Sequence, residues 1–307
     1  MRVKAGAIGV GGAASPSLAA PPGVVAPRRE QRLRLVPALP LVILALLAFA
    51  AVAAPLLTPY DPVRHDLLAR MLPPVWSEGG SFEHMLGTDR FGRDVFTRLI
   101  FGTRSSLLIV AVASVIAVTI GASVGILAGY AGGVIDAVLS RLTDVMLALP
   151  SVLVAIAIAV VLGPSFKNVV LILGLLIWPN IARLIRAEAL AIRQHDFARY
   201  AVTIGVSRWI ILLRHVLPNV LPTLLVATTL ETGNIILTEA SLSFLGAGVP
   251  PPTPSWGAMI NEGRALIHTG WWIALFPGIM IAATVLSVNT FGDWLRDYFD
   301  PTTRYVS

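Results

Sequence analysis

Cysteine is absent from this 307-residue chain, so neither a disulfide nor a thiolate metal site can form. Histidine is nearly as scarce. The 5 His residues are scattered, with no pair at His-x-x-x-His spacing and no His/carboxylate cluster at ligand spacing, and no metal is assigned. Charge is the third shortage: 13% of residues are charged, against roughly 25% in an ordinary soluble domain. With 56% hydrophobic residues, that deficit points to lipid as the solvent. Also missing are a Gly-x-x-x-x-Gly-Lys-Ser/Thr loop, a Gly-x-Ser-x-Gly elbow and a His-Glu-x-x-His helix, so no catalytic residue and no cofactor is assigned. If ATP is used, another chain must bind it.

What is present fits a bilayer. The 26 Gly and 22 Pro residues would be awkward in soluble helices but are tolerated in transmembrane ones, where neighbours satisfy the freed backbone groups. A net charge of +6 does not mark a nucleic-acid binder, because the basic residues sit between long apolar runs and not on a polar domain. Residues 1–34 are rich in Ala, Gly, Pro and Ser, cannot form a core, and are expected to be a disordered cytoplasmic tail. The next 26 residues, 35–60, carry no charge and suffice for one span at about 20 residues per helix. A signal peptide is the alternative there, with Ala51–Ala54 as a passable cleavage site, but the apolar region is longer than the usual ~7–15 residues.

Further uncharged stretches follow. Between Arg104 and Asp136 lie 31 such residues, and between Asp144 and Lys167 another 22, giving spans two and three. Span four follows Lys167 and reaches about Ile185 if Arg183 and Arg186 snorkel. Span five starts near Val216 and meets Glu231 after 15 residues, so an acid lies within the membrane; span six takes residues 269–292. The expectation is an all-α membrane protein with six transmembrane helices. Counting Lys and Arg between the spans gives 15 on the side of the N-terminus and 8 on the other, which predicts that both termini are cytoplasmic. The basic segment 183–214 decides the count, since the outer segment 58–104 carries as many basic residues as the tail.

Gly121, Gly125, Gly129 and Gly133 recur at every fourth position, a spacing that lets helix backbones approach closely. Bundle packing is the preferred reading over a role in a pathway. Pro150, Pro179 and Pro277 fall within or near spans three, four and six and permit kinks. The segment 194–218 is the most informative. Phe197, Ala201 and Ile204 share one face of a short helix, Gly205 permits a sharp turn, and a second helix from about Ser207 leads past Leu217 and Pro218 into span five. Such an interfacial helix pair could lie on lipid or dock a partner.

Several segments resemble a known family. The spacing from Ala201 through Gly205 to Leu217-Pro218 resembles the EAA loop of ABC importer permeases, with Arg199-Tyr200 standing where Glu-Ala is common. Leu86-Gly-Thr-Asp-Arg-Phe-Gly-Arg-Asp-Val95 with Arg98-Leu-Ile, Arg141-Leu-Thr-Asp144, Glu239–Gly246, Pro251–Gly257 and Gly292–Asp297 resemble, in order, the second permease of dipeptide and oligopeptide importers, which includes nickel systems. The resemblance covers about residues 35–303. It implies a type I ABC permease fold in a bacterial inner membrane, with 35–103 as first helix plus extracytoplasmic segment, 104–293 as permease core and 294–307 as cytoplasmic tail. It also implies a second permease, two ATP-binding subunits and an extracytoplasmic solute-binding protein, with Phe197, Ala201, Ile204, Gly205, Leu217 and Pro218 coupling to the ATPase. Di- or oligopeptides are the expected solutes. Nickel, glutathione or another small solute is the alternative, and an ATP-independent secondary transporter is a competing class.

Single residues carry weaker expectations. Glu231 either lines the pathway and meets a cationic group of the solute, or makes a structural hydrogen bond to the partner permease. Glu239 is read as structural, pairing with an outer loop. Arg90, Asp94 and Arg98 at i, i+4 steps are read as a helix lying on the outer membrane surface ahead of span two. Trp256, Trp271 and Trp272 are read as interfacial anchors.

Overall fold

The structure, a computed structural model, describes residues 37–299, and within them the side chains at 198, 199, 201, 202 and 208 are excluded. The expected tail 1–34 and residues 300–307 lie outside the described residues. Among the described residues the regular structure is helical apart from one antiparallel bridge between Thr88 and Asp94. The helices are α1 (Ala38–Leu57), α2 (Val95–Ala131), α3 (Gly133–Ala148), α4 (Ser151–Leu162), α5 (Phe166–Gln194), α6 (Asp196–Thr203), α7 (Arg208–Ile211), α8 (Leu217–Phe244), α9 (Trp256–Arg264) and α10 (Trp272–Phe299).

Length and hydropathy make 5 stretches able to cross a membrane unaided: α1, α2, α5, α8 with its lead-in from Trp209, and α10. α3 and α4, which meet at 89°, are apolar enough only as a pair, a broken span or a re-entrant loop, and bring the number of crossings to 5 or 6. The break is local chemistry. Leu149 precedes Pro150, whose ring disfavours the helical conformation at its neighbour, and Leu149 adopts φ −90, ψ 136 instead. The continuous span expected between Asp144 and Lys167 is therefore a bent pair, with only the 12 residues of α4 beyond the break.

Two more boundaries move. Asp94 caps α2, its Oδ2 accepting from the Thr97 amide at 2.7 Å, so the helix begins nine residues before Arg104 and runs 37 residues. That is about 55 Å at 1.5 Å per residue, longer than a hydrocarbon core of ~30 Å, so part of α2 stands clear of it. Span two and the segment ahead of it are one helix, not a surface helix followed by a span. At the other end α10 continues to Phe299, past the expected limit at 292–293.

The most extensive helix interface joins α2 to α5. Gly121, Gly125 and Gly129 form its seam: a Cβ on them would lie 2.8 Å from Ile181 Cβ, 2.7 Å from the Ala182 carbonyl and 2.6 Å from the Arg186 carbonyl, respectively. Glycine at every fourth position is what lets these backbones touch. Gly133 is not part of the seam. It opens α3, after Gly132 has turned the chain with φ +68.

Candidate functional site

The bundle has one end that carries α9 and the 58–94 segment, and another that carries α6 and α7. At the α9 end the Gly87–Arg98 motif folds around a buried ionic cluster. Asp89 accepts from the Phe91 and Arg93 amides at 2.8 and 3.1 Å, which closes the turn, and its Oδ2 meets Arg93 Nε at 2.7 Å and Arg98 Nη1 at 2.6 Å. Glu262 of α9 completes the cluster, taking Arg93 Nη2 at 2.7 Å and both terminal nitrogens of Arg98 at 2.7 and 3.0 Å. Two guanidiniums and two carboxylates thus balance, which is the condition for burying them. Gly92, at φ +75, has no room for a side chain, since a Cβ would fall 1.6 Å from the Asp66 carbonyl. Asp94 turns away from Arg90 and Arg98: besides capping α2 it pairs with His84 Nδ1 at 3.0 Å. The expected i, i+4 charge ladder is replaced by contacts that reach 164 residues along the chain.

Trp256 and Trp272 are not interfacial anchors. Both are buried, and each indole N–H donates to a backbone carbonyl, Trp256 to Leu99 at 3.3 Å and Trp272 to Thr88 at 3.0 Å. They pin α9 and the start of α10 to the 88–99 segment. Trp271 alone of the three remains partly open, at 36% exposure. Glu239, near this end of α8, is buried and accepts from Ser243 Oγ at 2.8 Å, with Ser255 beside it. Its hydrogen-bond partner is a hydroxyl of its own helix, which satisfies a buried carboxyl locally.

At the other end, α5 hands over to α6 at His195, and α6 stops at Gly205, whose φ of +81 is the left-handed turn that glycine permits. The lead-in to α8 contains a single π turn, Leu212–Val216, where the Leu217 amide reaches the Leu212 carbonyl. Pro218 follows directly and has no N–H to give, so the ladder shifts register ahead of it. The result is an apolar display on a polar loop. Phe197, Tyr200, Ile204, Trp209, Ile210 and Leu213 are all exposed, while Ile211 and Val216 are buried as the root. Phe197 stacks on His195 and meets His215 at a tilt, with ring centroids at 5.7 and 6.0 Å. Leu217 is half-buried and Pro218 exposed; the backbone of Ala201 lies in α6, its side chain outside the description. Nearby, Arg186 grips Asp136 through two bonds and Arg183 reaches Asp144 at 3.3 Å, tying α3 to α5 around a cleft of about 410 Å³.

Midway along α8 stands Glu231, half-buried. Asn234 Nδ2 donates to its Oε2 at 3.1 Å, and Asn180 of α5 lies beside the same carboxyl.

Residues 121–305 match the family described as the binding-protein-dependent transport system inner membrane component. The chain belongs to that family. It is 41% identical over 264 residues to the dipeptide transport system permease protein DppC of Escherichia coli, covering 86% of this chain and 88% of the relative. The di/tripeptide transport system permease protein DppC of Pseudomonas aeruginosa is 40% identical over 264 residues, covering 86% and 87%. The probable D,D-dipeptide transport system permease protein DdpC of Escherichia coli is 40% identical over 260 residues, covering 85% of each. Among solved structures, inward-facing conformations of the MetNI methionine ABC transporter match with a TM-score of 0.56 at 18% identity, covering 64% of this chain and 93% of that one. The fold is that of a type I ABC importer permease. The protein is thus a multi-pass inner-membrane permease, a transport component and not an enzyme, and it works with ATPase and binding-protein subunits. A free-standing secondary transporter is set aside.

The permease contains functional groups that sequence reasoning missed. Glu262 was visible only as an isolated acid in a segment read for its tryptophans, and nothing local joins it to Arg98. Asn234 carried a signal, since it stands three residues from Glu231 on the same helical face. Asn180 carried none, because it meets Glu231 only through the crossing of α5 and α8.

Proposed function

We propose that this permease moves di- or oligopeptides inward, paired with a second permease of similar fold, driven by two ATP-binding subunits and supplied by an extracytoplasmic solute-binding protein. The peptide assignment rests on relatives whose described substrates are dipeptides and tripeptides. In this reading both termini are cytoplasmic, the α9 end faces outward, and the α6–α7 end faces the ATPase. The observation that carries it is the exposed apolar display at that end: Phe197 at 44%, Ile204 at 78% and Trp209 at 66% exposure, held on a loop rooted by buried Ile211. Phe197, Ala201 and Ile204 form the docking face, Gly205 sets the turn, and Leu217-Pro218 transmit loop motion into α8. A large apolar cluster on a loop marks a partner site. Glu231, at mid-depth, lines the pathway. The test is uptake of alanyl-alanine into proteoliposomes holding the full complex. The reading requires that uptake depend on internal or external ATP presented to the ATPase side and on added binding protein. Uptake driven by an ion gradient without ATP would contradict it.

A further inference from the structure

The polar face of α8 extends well beyond Glu231. Thr228, Glu231, Asn234, Thr238 and Ser241 follow one another at steps of three or four residues, so they share a face of the helix for about 20 Å. Asn234, Ser241 and the adjoining Asn180 of α5 are exposed, and Thr228, Glu231 and Thr238 are half-buried. Facing hydrocarbon, the Glu231 carboxylate and the amides of Asn180 and Asn234 would leave valences without a partner, so the face meets water, solute or protein. Toward the α6 end the same face turns apolar at Leu224 and Leu221.

The hydrogen bonds already made decide what the stripe can still bind. A carboxylate only accepts, so Asn234 must turn its Nδ2 to Glu231, at 3.1 Å, which leaves its Oδ1 free as an acceptor. Each hydroxyl gives its hydrogen to its own helix: Thr228 to the Leu224 carbonyl, Thr238 to Asn234 and Ser241 to Leu237, all at 2.7 Å. Their oxygens then retain only lone pairs. The valences left over are predominantly acceptors, α8 contains no Lys or Arg, and the one charge among them is Glu231.

We propose that this stripe is an N–H-accepting track for the solute, with Glu231 as the station that holds a primary ammonium, so that the permease itself favours amine-bearing solutes. A peptide with a free amino terminus presents a cluster of ammonium hydrogens followed by backbone N–H groups, and the track offers a carboxylate flanked by neutral acceptors. Asn180 and Asn234 act as positioning residues that fix the carboxylate. This inference rests on the peptide-permease reading and adds the residues that select within it.

The test uses the complete complex in proteoliposomes, with labelled alanyl-alanine as probe and ATP hydrolysis measured in the same vesicles. Glu231→Gln keeps size and one acceptor oxygen, removes the charge and turns the other acceptor into an N–H donor. It is expected to assemble and to keep binding-protein-stimulated hydrolysis within about twofold while uptake per ATP falls about tenfold or more. Glu231→Asp should retain uptake to within about threefold, and Thr238→Val with Ser241→Ala, far from the carboxyl, should lower uptake per ATP by about threefold. Unchanged uptake per ATP in Glu231→Gln and in the double variant overturns the track. Loss of the second permease on purification assigns the stripe to the permease–permease interface and overturns it as well. A wild-type complex that hydrolyses ATP but imports no alanyl-alanine overturns the peptide reading and this inference with it.

Discussion

Glu262→Leu removes one carboxylate from a cluster of two acids and two bases in which Arg98, Asp89 and Arg93 have side-chain exposures of 2%, 1% and 6%. Three hydrogen bonds disappear, and two guanidiniums are left with Asp89 alone. Removing one partner of a buried ion pair costs about 3–5 kcal/mol, and the 18% exposure of Glu262 places this case near the lower figure. At about 2–4 °C per kcal/mol, the thermal midpoint of the detergent-purified complex should fall by about 6–12 °C. A second substitution isolates the cause. Arg93→Met in the Glu262→Leu background removes the surplus positive charge and leaves Asp89 and Arg98 as a neutral pair at 2.6 Å. The double variant should therefore unfold at a higher temperature than Glu262→Leu alone, with a coupling of about 1–3 kcal/mol. The reasoning fails if Glu262→Leu shifts the midpoint by less than about 2 °C, or if the two substitutions lower it additively.

Other consequences follow from the packing. Gly125→Val forces a side chain against the Ala182 carbonyl and Ile185 across the α2–α5 seam; yield of folded complex should drop, with a cost of at least about 1–3 kcal/mol read as lost thermal stability. Trp272→Phe keeps the ring in the core and deletes the bond to the Thr88 carbonyl, so its midpoint should fall by the equivalent of about 1–3 kcal/mol, whereas Trp271→Phe should be close to neutral. Reporter fusions at Ser307 and near Gly79 should report the cytoplasmic and the external side respectively; a C-terminal fusion active only outside the cell would reverse the topology.

Hydropathy made most of the crossings readable, because lipid imposes a single demand on every span. Where the chain departs from that demand, the count of apolar residues gave no guide. Leu149-Pro150 breaks the third crossing through a steric rule about the residue before proline, while the apolar composition continues unchanged across the bend. The start of α2 is not legible because Arg98 reads as a surface charge in the sequence; its burial is possible only through Asp89 and Glu262, and the second of these lies far along the chain. From the sequence, Trp256 and Trp272 read as surface anchors because a tryptophan near a span end fits both roles until its indole partner is known. The turn between α6 and α7 was legible for the opposite reason. Gly205, Pro218 and the apolar face act locally, and the turn at φ +81 follows from the glycine. Glu231 stood out as an acid in an apolar run, yet its neutral neighbours on α8 passed as ordinary transmembrane threonines and serines.

The central claim is that the Phe197–Pro218 loop is the mechanical link to an ATPase. Ile204 is 78% exposed and a Cβ on Gly205 would meet no atom within 4 Å, so Ile204→Asp leaves the permease fold unburdened and Gly205→Val strains only the turn. The direct measurement is co-purification of each variant with the ATP-binding subunits, together with ATP hydrolysis stimulated by solute-loaded binding protein. The account predicts that both variants insert in the membrane, and that Ile204→Asp loses the ATPase while Gly205→Val loses stimulation. Normal co-purification and normal stimulation in both would contradict it.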